Sequence, residues 1–160
     1  MSQIASEYES LIREHLDHVQ DIELVFLKGH LLIEQCLTLL LELQLVQPKR
    51  LRPLNLMFNK KLEVYLSISG NSIISYDLEH VLKEMNSLRN KLTHNFRHPE
   101  FNDQLRSWLQ AAAQRKIPDQ ICNLHSRRQL VEGISYIVGF LVGAISGIKA
   151  SKKTYVNSSP

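Results

Sequence analysis

Cysteine is nearly absent from this 160-residue chain: Cys36 and Cys122 stand far apart, neither with a second ligand at metal-binding spacing. A disulfide scaffold and a cysteine zinc site are therefore excluded, and both thiols read as small apolar side chains in a reducing compartment. Proline (5) and glycine (6) are also scarce, which rules out collagen-like and low-complexity chains. There is one tryptophan, and Trp108 sits on an apolar helical stripe, a core position rather than a base-stacking platform. Neither sign of charge dominates: 19 Lys and Arg against 16 Asp and Glu give +3, which permits an anionic partner without demanding one. The longest apolar stretch of note, residues 133–148, falls short of the roughly 20 residues of a membrane span, so no membrane partner is expected. No glycine-rich phosphate loop, nucleophile elbow or usefully spaced carboxylate pair is found, leaving ATP hydrolysis, serine hydrolysis and glycoside cleavage without support. The first residues lack a basic segment followed by an apolar one, so a cytoplasmic location is expected.

What is present is helical periodicity almost throughout, at 44% hydrophobic residues. An all-α fold follows, a compact bundle of about five to six helices in a single domain over 1–153, with a flexible tail over 154–160. Ile4, Tyr8, Leu11, Ile12, His15 and Val19 keep helical spacing. Asp21 caps a longer second helix carrying Leu24, Leu27, Leu31, Leu32, Leu39 and Leu43. Pro48 and Pro53 bracket a basic loop with Lys49, Arg50 and Arg52. A third helix carries Phe58, Leu62, Tyr65 and Leu66 and ends at the turn Gly70, Asn71, Ser72. The fourth starts near Asp77, buries Leu78, Val81, Leu82, Met85, Leu88 and Leu92, and ends between His94 and Arg97, because Pro99 disfavours helix at His98. A fifth spans Asp103 to Lys116, with Leu105, Trp108, Leu109 and Ala112 inward. Ser126 and Gln129 have capping-box spacing, which opens the last helix there.

In that last helix Gly139, Gly143 and Gly147 recur every four residues. Each interior glycine costs about 1 kcal/mol relative to alanine, so an offsetting contact is expected, either in the core or between subunits.

The segment richest in chemistry is Leu88, Arg89, Asn90, Lys91, Leu92, Thr93, His94. Arg89 is a permanent cation whose planar fork suits phosphate oxygens, and an imidazole such as that of His94 moves protons near neutral pH. Asn90 and His94 lie about 40° apart around a helix and can touch, whereas Arg89 and His94 are separated by about 140°. Joint action therefore needs the helix to unwind at His94, or groups from a second subunit. The dipole at a helix carboxyl end also favours Arg89, Lys91, His94 and Arg97 without any catalysis. His94 and His98 are four apart, but Pro99 spoils their registry, and His15 with His18 is no better; no metal site is expected. Lys49, Arg50, Arg52, Lys60 and Lys61 form the densest basic region, either a solvated face or a track for RNA phosphates.

Arg89 to His94, on a late helix of a small all-α chain, resembles the Arg-x4–6-His motif of the HEPN superfamily (higher eukaryotes and prokaryotes nucleotide-binding domains). Asn90 supplies the polar residue that follows the arginine in that pattern. The stretch from Lys28 to Glu34 is similar to the first core helix of such domains, where an acidic or polar residue faces the motif. The likeness covers residues 20–97; the helices over about 102–150 match only as further helices. It implies a metal-independent endoribonuclease, toxin-like or defensive, acting as a homodimer and needing no cofactor. Arg89, Asn90 and His94 would be catalytic, and Asn90 would orient the imidazole or hold a phosphate oxygen; Glu34 either pairs with Lys28 or a neighbouring helix, as a helix-face carboxylate does, or anchors Arg89 or His94. Lys49, Arg50, Arg52, Lys91 and Arg97 would hold RNA. A cognate antitoxin or a regulatory protein would be the protein partner. The chain also broadly resembles small helical regulators of the mannitol-operon repressor type, the alternative reading, in which the same groove binds a partner without cutting RNA.

Overall fold

A computed structural model describes residues 3–69, 73–94, 100–113 and 123–157. Six α-helices form among them: α1 (Gln3–His15), α2 (Ile22–Gln44), α3 (Phe58–Ile68), α4 (Tyr76–His94), α5 (Phe101–Ala113) and α6 (Asn123–Asn157), with 3₁₀ turns at Pro48–Arg50 and Arg52–Leu54. No strand occurs among the described residues. The all-α bundle is therefore established.

The start signals worked where a side chain meets an orphan amide. Asp21 Oδ1 accepts from Leu24 N–H at 2.8 Å and caps α2. One turn into α4, Leu78 N–H donates to Ser75 Oγ at 3.3 Å, so the cap is Ser75, two residues before Asp77. The last helix differs more. It begins at Asn123, placing Ser126 inside the helix instead of at its cap, and it continues through Asn157 into the stretch expected to be a tail. The fifth helix starts at Phe101, two residues before Asp103. Its expected end at Lys116 lies outside the described residues, as do the turn at Gly70, Asn71 and Ser72, and Arg97, His98, Pro99 and Cys122.

α2 is the axis of the bundle. Ten of its residues are buried, from Val25 to Leu41, because it is covered on several sides. On one side lies α6: Gly29 meets Ile134 near the start of the contact, and Lys152 donates to the carbonyl of Leu43 near its end. The two helices therefore run in the same direction. Early in α6, Arg127 donates to the carbonyls of Val19 (2.6 Å), Leu16 (3.2 Å) and Asp17, tying α6 to the segment that joins α1 to α2. Phe26 of α2 packs edge-on against Phe101 and Trp108 of α5, with centroids 6.0 and 5.5 Å apart. Trp108 is buried, and its indole N–H donates to the Val81 carbonyl of α4 at 2.9 Å, so it is a core residue.

Close approach falls on a different glycine from those in the expected row. A Cβ on Gly29 would stand 2.2 Å from Cδ1 of Ile134, so α2 and α6 touch there only because glycine has no side chain. Gly139, Gly143 and Gly147 are exposed, and a Cβ on any of them would meet nothing within 4 Å. The glycine row is thus not a core contact of the chain. With the Ala5, Tyr8 and Ile12 face of α1, Gly139 and Gly143 instead line an open apolar groove of about 510 Å³. By length and composition alone, Ile22–Gln44 and Arg127–Lys152 are each apolar enough to cross a bilayer, so counting the 16 uncharged residues did not dispose of that possibility. For α2 the apolar character is accounted for by burial within the bundle.

Candidate functional site: a polar cleft between α2, α3 and α4

Three helices converge on a cleft of about 410 Å³, lined among others by His30 and Glu34 of α2, Asn59 and Lys60 of α3, and Asn86, Arg89 and Asn90 of α4. Each pair comes from helical spacing: His30 and Glu34 are four apart, as are Asn86 and Asn90, so both members face the same way. Between the 3₁₀ turns and α3, Asn55 closes one side with a positive φ of 45°, a conformation that asparagine tolerates better than most residues.

Arg89 is half-buried, and its Nη1 donates to Asn90 Oδ1 at 3.1 Å. That neighbour bond limits where the guanidinium points, and it engages the Asn90 oxygen with the arginine instead of the imidazole of His94. Glu34 is also half-buried, but Lys61 of α3 takes it at 2.7 Å. The carboxylate therefore ties α2 to α3, the expected pairing with a neighbouring helix, and it makes no hydrogen bond to Arg89 or His94, so the anchoring alternative is not what this structure has. It remains a lining group of the cleft, with its charge already matched.

His94 is exposed at the last position of α4 and lines no part of this cleft. The helix holds its form up to that residue, so the unwinding that would bring the imidazole round to Arg89 does not occur by His94. Within one chain the two side chains leave the helix about 140° and 7.5 Å apart.

The imidazole that does accompany Arg89 is His30, a residue within the Lys28 to Glu34 stretch that spacing did not single out. It is only 2% exposed, and its Nε2–H donates to Oδ1 of buried Asn86 at 3.2 Å. Its ring lies on Phe58, the first residue of α3, with centroids 4.5 Å apart. Nδ1 is buried with no hydrogen-bond partner. Burial pushes the His30 pKa below the ordinary histidine value, with the Asn86 bond and nearby Glu34 opposing and the cations Arg89 and Lys61 assisting. The signal for it was a polar residue one turn before Glu34 on a largely apolar helix; its partner lies 56 residues away, beyond the reach of periodicity.

Among the described residues, the expected RNA-holding cations Lys49, Arg50 and Lys91 line no part of the Arg89 cleft. Lys49 and Arg50 are exposed on the first 3₁₀ turn, the Arg52 side chain and Arg97 lie outside the described residues, and Lys60 pairs with Glu63 at 2.7 Å. Lys91 donates to Gln104 of α5 at 3.0 Å and faces a separate cleft with Glu84, Glu100 and Asp103, where the local charge opposes a phosphate. No group of three His, Cys, Asp or Glu side chains placed to hold a metal ion occurs among the described residues. No family model, curated protein or solved structure matches the chain.

Proposed function

We propose that the chain is a metal-independent endoribonuclease of the HEPN type, toxin-like or defensive, that works in the cytoplasm as a homodimer and needs no cofactor. The observation that carries this reading is the state of Arg89: half-buried, steadied by Asn90 and opening on a polar cleft whose one carboxylate, Glu34, is already neutralised by Lys61. Such a guanidinium is ready to accept a phosphodiester at little cost in side-chain ordering. His94 stands free in solvent beyond it on the same helix. In a dimer that apposes the two α4 ends, His94 of one copy reaches the phosphate held by Arg89 of the other. Its imidazole would take the proton from the ribose 2′-hydroxyl or return one to the departing 5′-oxygen. Arg89 would stabilise charge on the phosphorane-like transition state through paired hydrogen bonds. The products would be a 2′,3′-cyclic phosphate and a 5′-hydroxyl. Lys49 and Arg50 would contribute only a diffuse attraction for RNA.

The test is RNA cleavage in EDTA by wild type, Arg89→Ala and His94→Ala, with helicity checked by circular dichroism. Cleavage that falls at least about 100-fold in both variants supports the reading, the scale expected for loss of a proton-transfer group or a charge stabiliser. Mixing the two inactive variants should restore part of the activity, since a mixed dimer keeps one complete site. Wild-type chain that leaves RNA intact, or cleavage that survives both substitutions, defeats it.

One observation favours the second reading, a helical regulator or adaptor similar to the mannitol-operon repressor type. In a single chain His94 lies outside the Arg89 cleft, while an apolar groove between α1 and α6 stands open. That reading expects intact RNA, a protein partner such as an antitoxin or a transcription component, and tolerance of His94→Ala.

A further inference from the structure

The cleft has a floor as well as a rim, and the floor is made by a histidine with one ring nitrogen used and the other dry. Three elements meet on this ring. Phe58 at the start of α3 lies against its face, Asn86 of α4 takes its Nε2–H, and α2 supplies the ring itself. Asparagine Oδ1 only accepts, so Nε2 carries a proton, and in the neutral ring Nδ1 is then the nitrogen with the lone pair. A buried lone pair without a donor is a modest loss. A buried N–H⁺ without an acceptor is a large one.

The charged groups around the ring decide what a second proton would meet. From α2 comes Glu34, from α3 Lys61, and from α4 Arg89, with Lys60 on the cleft wall. The single anion is already engaged by Lys61 at 2.7 Å. An imidazolium at residue 30 would therefore face cations on two helices and would have to compete for the one carboxylate. Relief requires either that Glu34 leave Lys61 or that Nδ1 reach water. Both loosen α3 from α2, because Glu34–Lys61 is a polar tie and His30–Phe58 a ring contact between those helices.

We propose that His30 is a pH-sensitive latch: neutral, it seals α3 against α2 and α4 beneath Arg89; protonated, it releases the start of α3 and opens the cleft. This inference is independent of RNA cleavage, since it concerns only which state of the cleft is populated. The depressed proton affinity of the buried ring sets the direction, so the closed state dominates at neutral pH and acid drives opening.

The experiment is hydrogen exchange of α3 (Phe58–Ile68) against α6 from pH 8 to pH 5, corrected for intrinsic exchange rates, together with an NMR titration of the His30 ring. In wild type, the opening constant of α3 should rise below the ordinary histidine value, by up to about tenfold per pH unit for one proton, while the middle of α6 changes much less. His30→Gln keeps a donor for Asn86 but cannot gain the charge, and its α3 exchange should be flat with pH. If that variant fails to fold, Asn86→Asp serves: a carboxylate beside Nε2 favours the imidazolium, so the His30 titration should move up and the acid opening should weaken. A His30 ring that titrates at or above the ordinary value in wild type overturns the latch. So does α3 exchange that follows α6 at every pH, or an acid opening that persists unchanged in His30→Gln.

Discussion

The glycines of α6 and α2 offer a direct test of the architecture, because the same substitution should act with opposite sign at two places. Alanine at Gly139, Gly143 or Gly147 would project a Cβ into open space, with nothing within 4 Å. Nothing opposes the gain in helix propensity there, about 1 kcal/mol per site, so the triple substitution should stabilise the chain by about 3 kcal/mol. For a domain of this size that is a rise in Tm of about 6–12 °C. Alanine at Gly29 starts with the same gain of about 1 kcal/mol but drives its Cβ to 2.2 Å from Cδ1, 2.8 Å from Cγ1 and 3.2 Å from Cγ2 of fully buried Ile134. A β-branched side chain on a helix cannot swing both γ carbons away, so α2 and α6 must separate slightly. Overpacking of this kind costs about 1–3 kcal/mol, and Gly29→Ala should come out neutral to about 2 kcal/mol destabilised. Urea unfolding at micromolar protein concentration, followed by circular dichroism, reads both. A loss of stability at Gly139 or Gly143, or a gain of about 1 kcal/mol at Gly29, would refute the placement of α6 against α2.

Three further outcomes are expected. Lys61→Met leaves the half-buried Glu34 carboxylate without its cation and should cost about 1–3 kcal/mol by denaturant unfolding, whereas Lys61→Met with Glu34→Gln should recover part of the loss. Trp108→Phe keeps most of the apolar contact with Phe26 and removes only the second donor to the Val81 carbonyl, which retains its helical partner, for a loss of about 0.5–1.5 kcal/mol; an unchanged midpoint would mean that the indole bond adds nothing beyond packing. Burial pushes the Cys36 thiol up to about 12, so in a Cys122→Ser chain Cys36 should resist thiol reagents at pH 8 until the protein unfolds. The stability that goes with this shift is complete below the ordinary thiol value near 9.0 and declines as the pH rises from there, by at most about 1.4 kcal/mol per unit, because only the unfolded chain ionises. Cys36→Ala should flatten that alkaline decline.

Helix order and inward faces were readable because burial imposes a period on each helix separately. Leu78, Val81, Leu82, Met85 and Leu88 keep steps of three or four, and all but Leu78 are fully buried. Trp108 was placed in the core by the same logic. Helix ends were less readable, since the spacing of Ser126 and Gln129 satisfies a capping pattern while the preceding turn is helical too. The glycine row left two expectations, a core contact or a subunit contact, and within the chain the close contact falls instead on a single Gly29 in α2 while Gly139 and Gly143 line an open groove. In the candidate site, Arg89 and Asn90 were visible, and the structure puts both at a cleft. A pairing of Glu34 with a neighbouring helix was expected, but the particular partners across helices could not be seen. Glu34 with Lys61 and His30 with Asn86 join residues 27 and 56 positions apart, and such pairings depend on how helices cross, which no local pattern encodes.

The ties between the ends of the chain also bear on how it is made. Arg127 grips Val19 from 108 positions away, and Lys152 reaches Leu43 from 109. A ribosome adding about 5–20 residues per second therefore leaves the apolar flank of α2 bare for at least several seconds before its cover is synthesised. During that interval the nascent chain carries a long greasy helix with no lid, a target for holdase chaperones and for aggregation. Stop codons introduced within α6 should accordingly yield insoluble or degraded product rather than a shortened working protein.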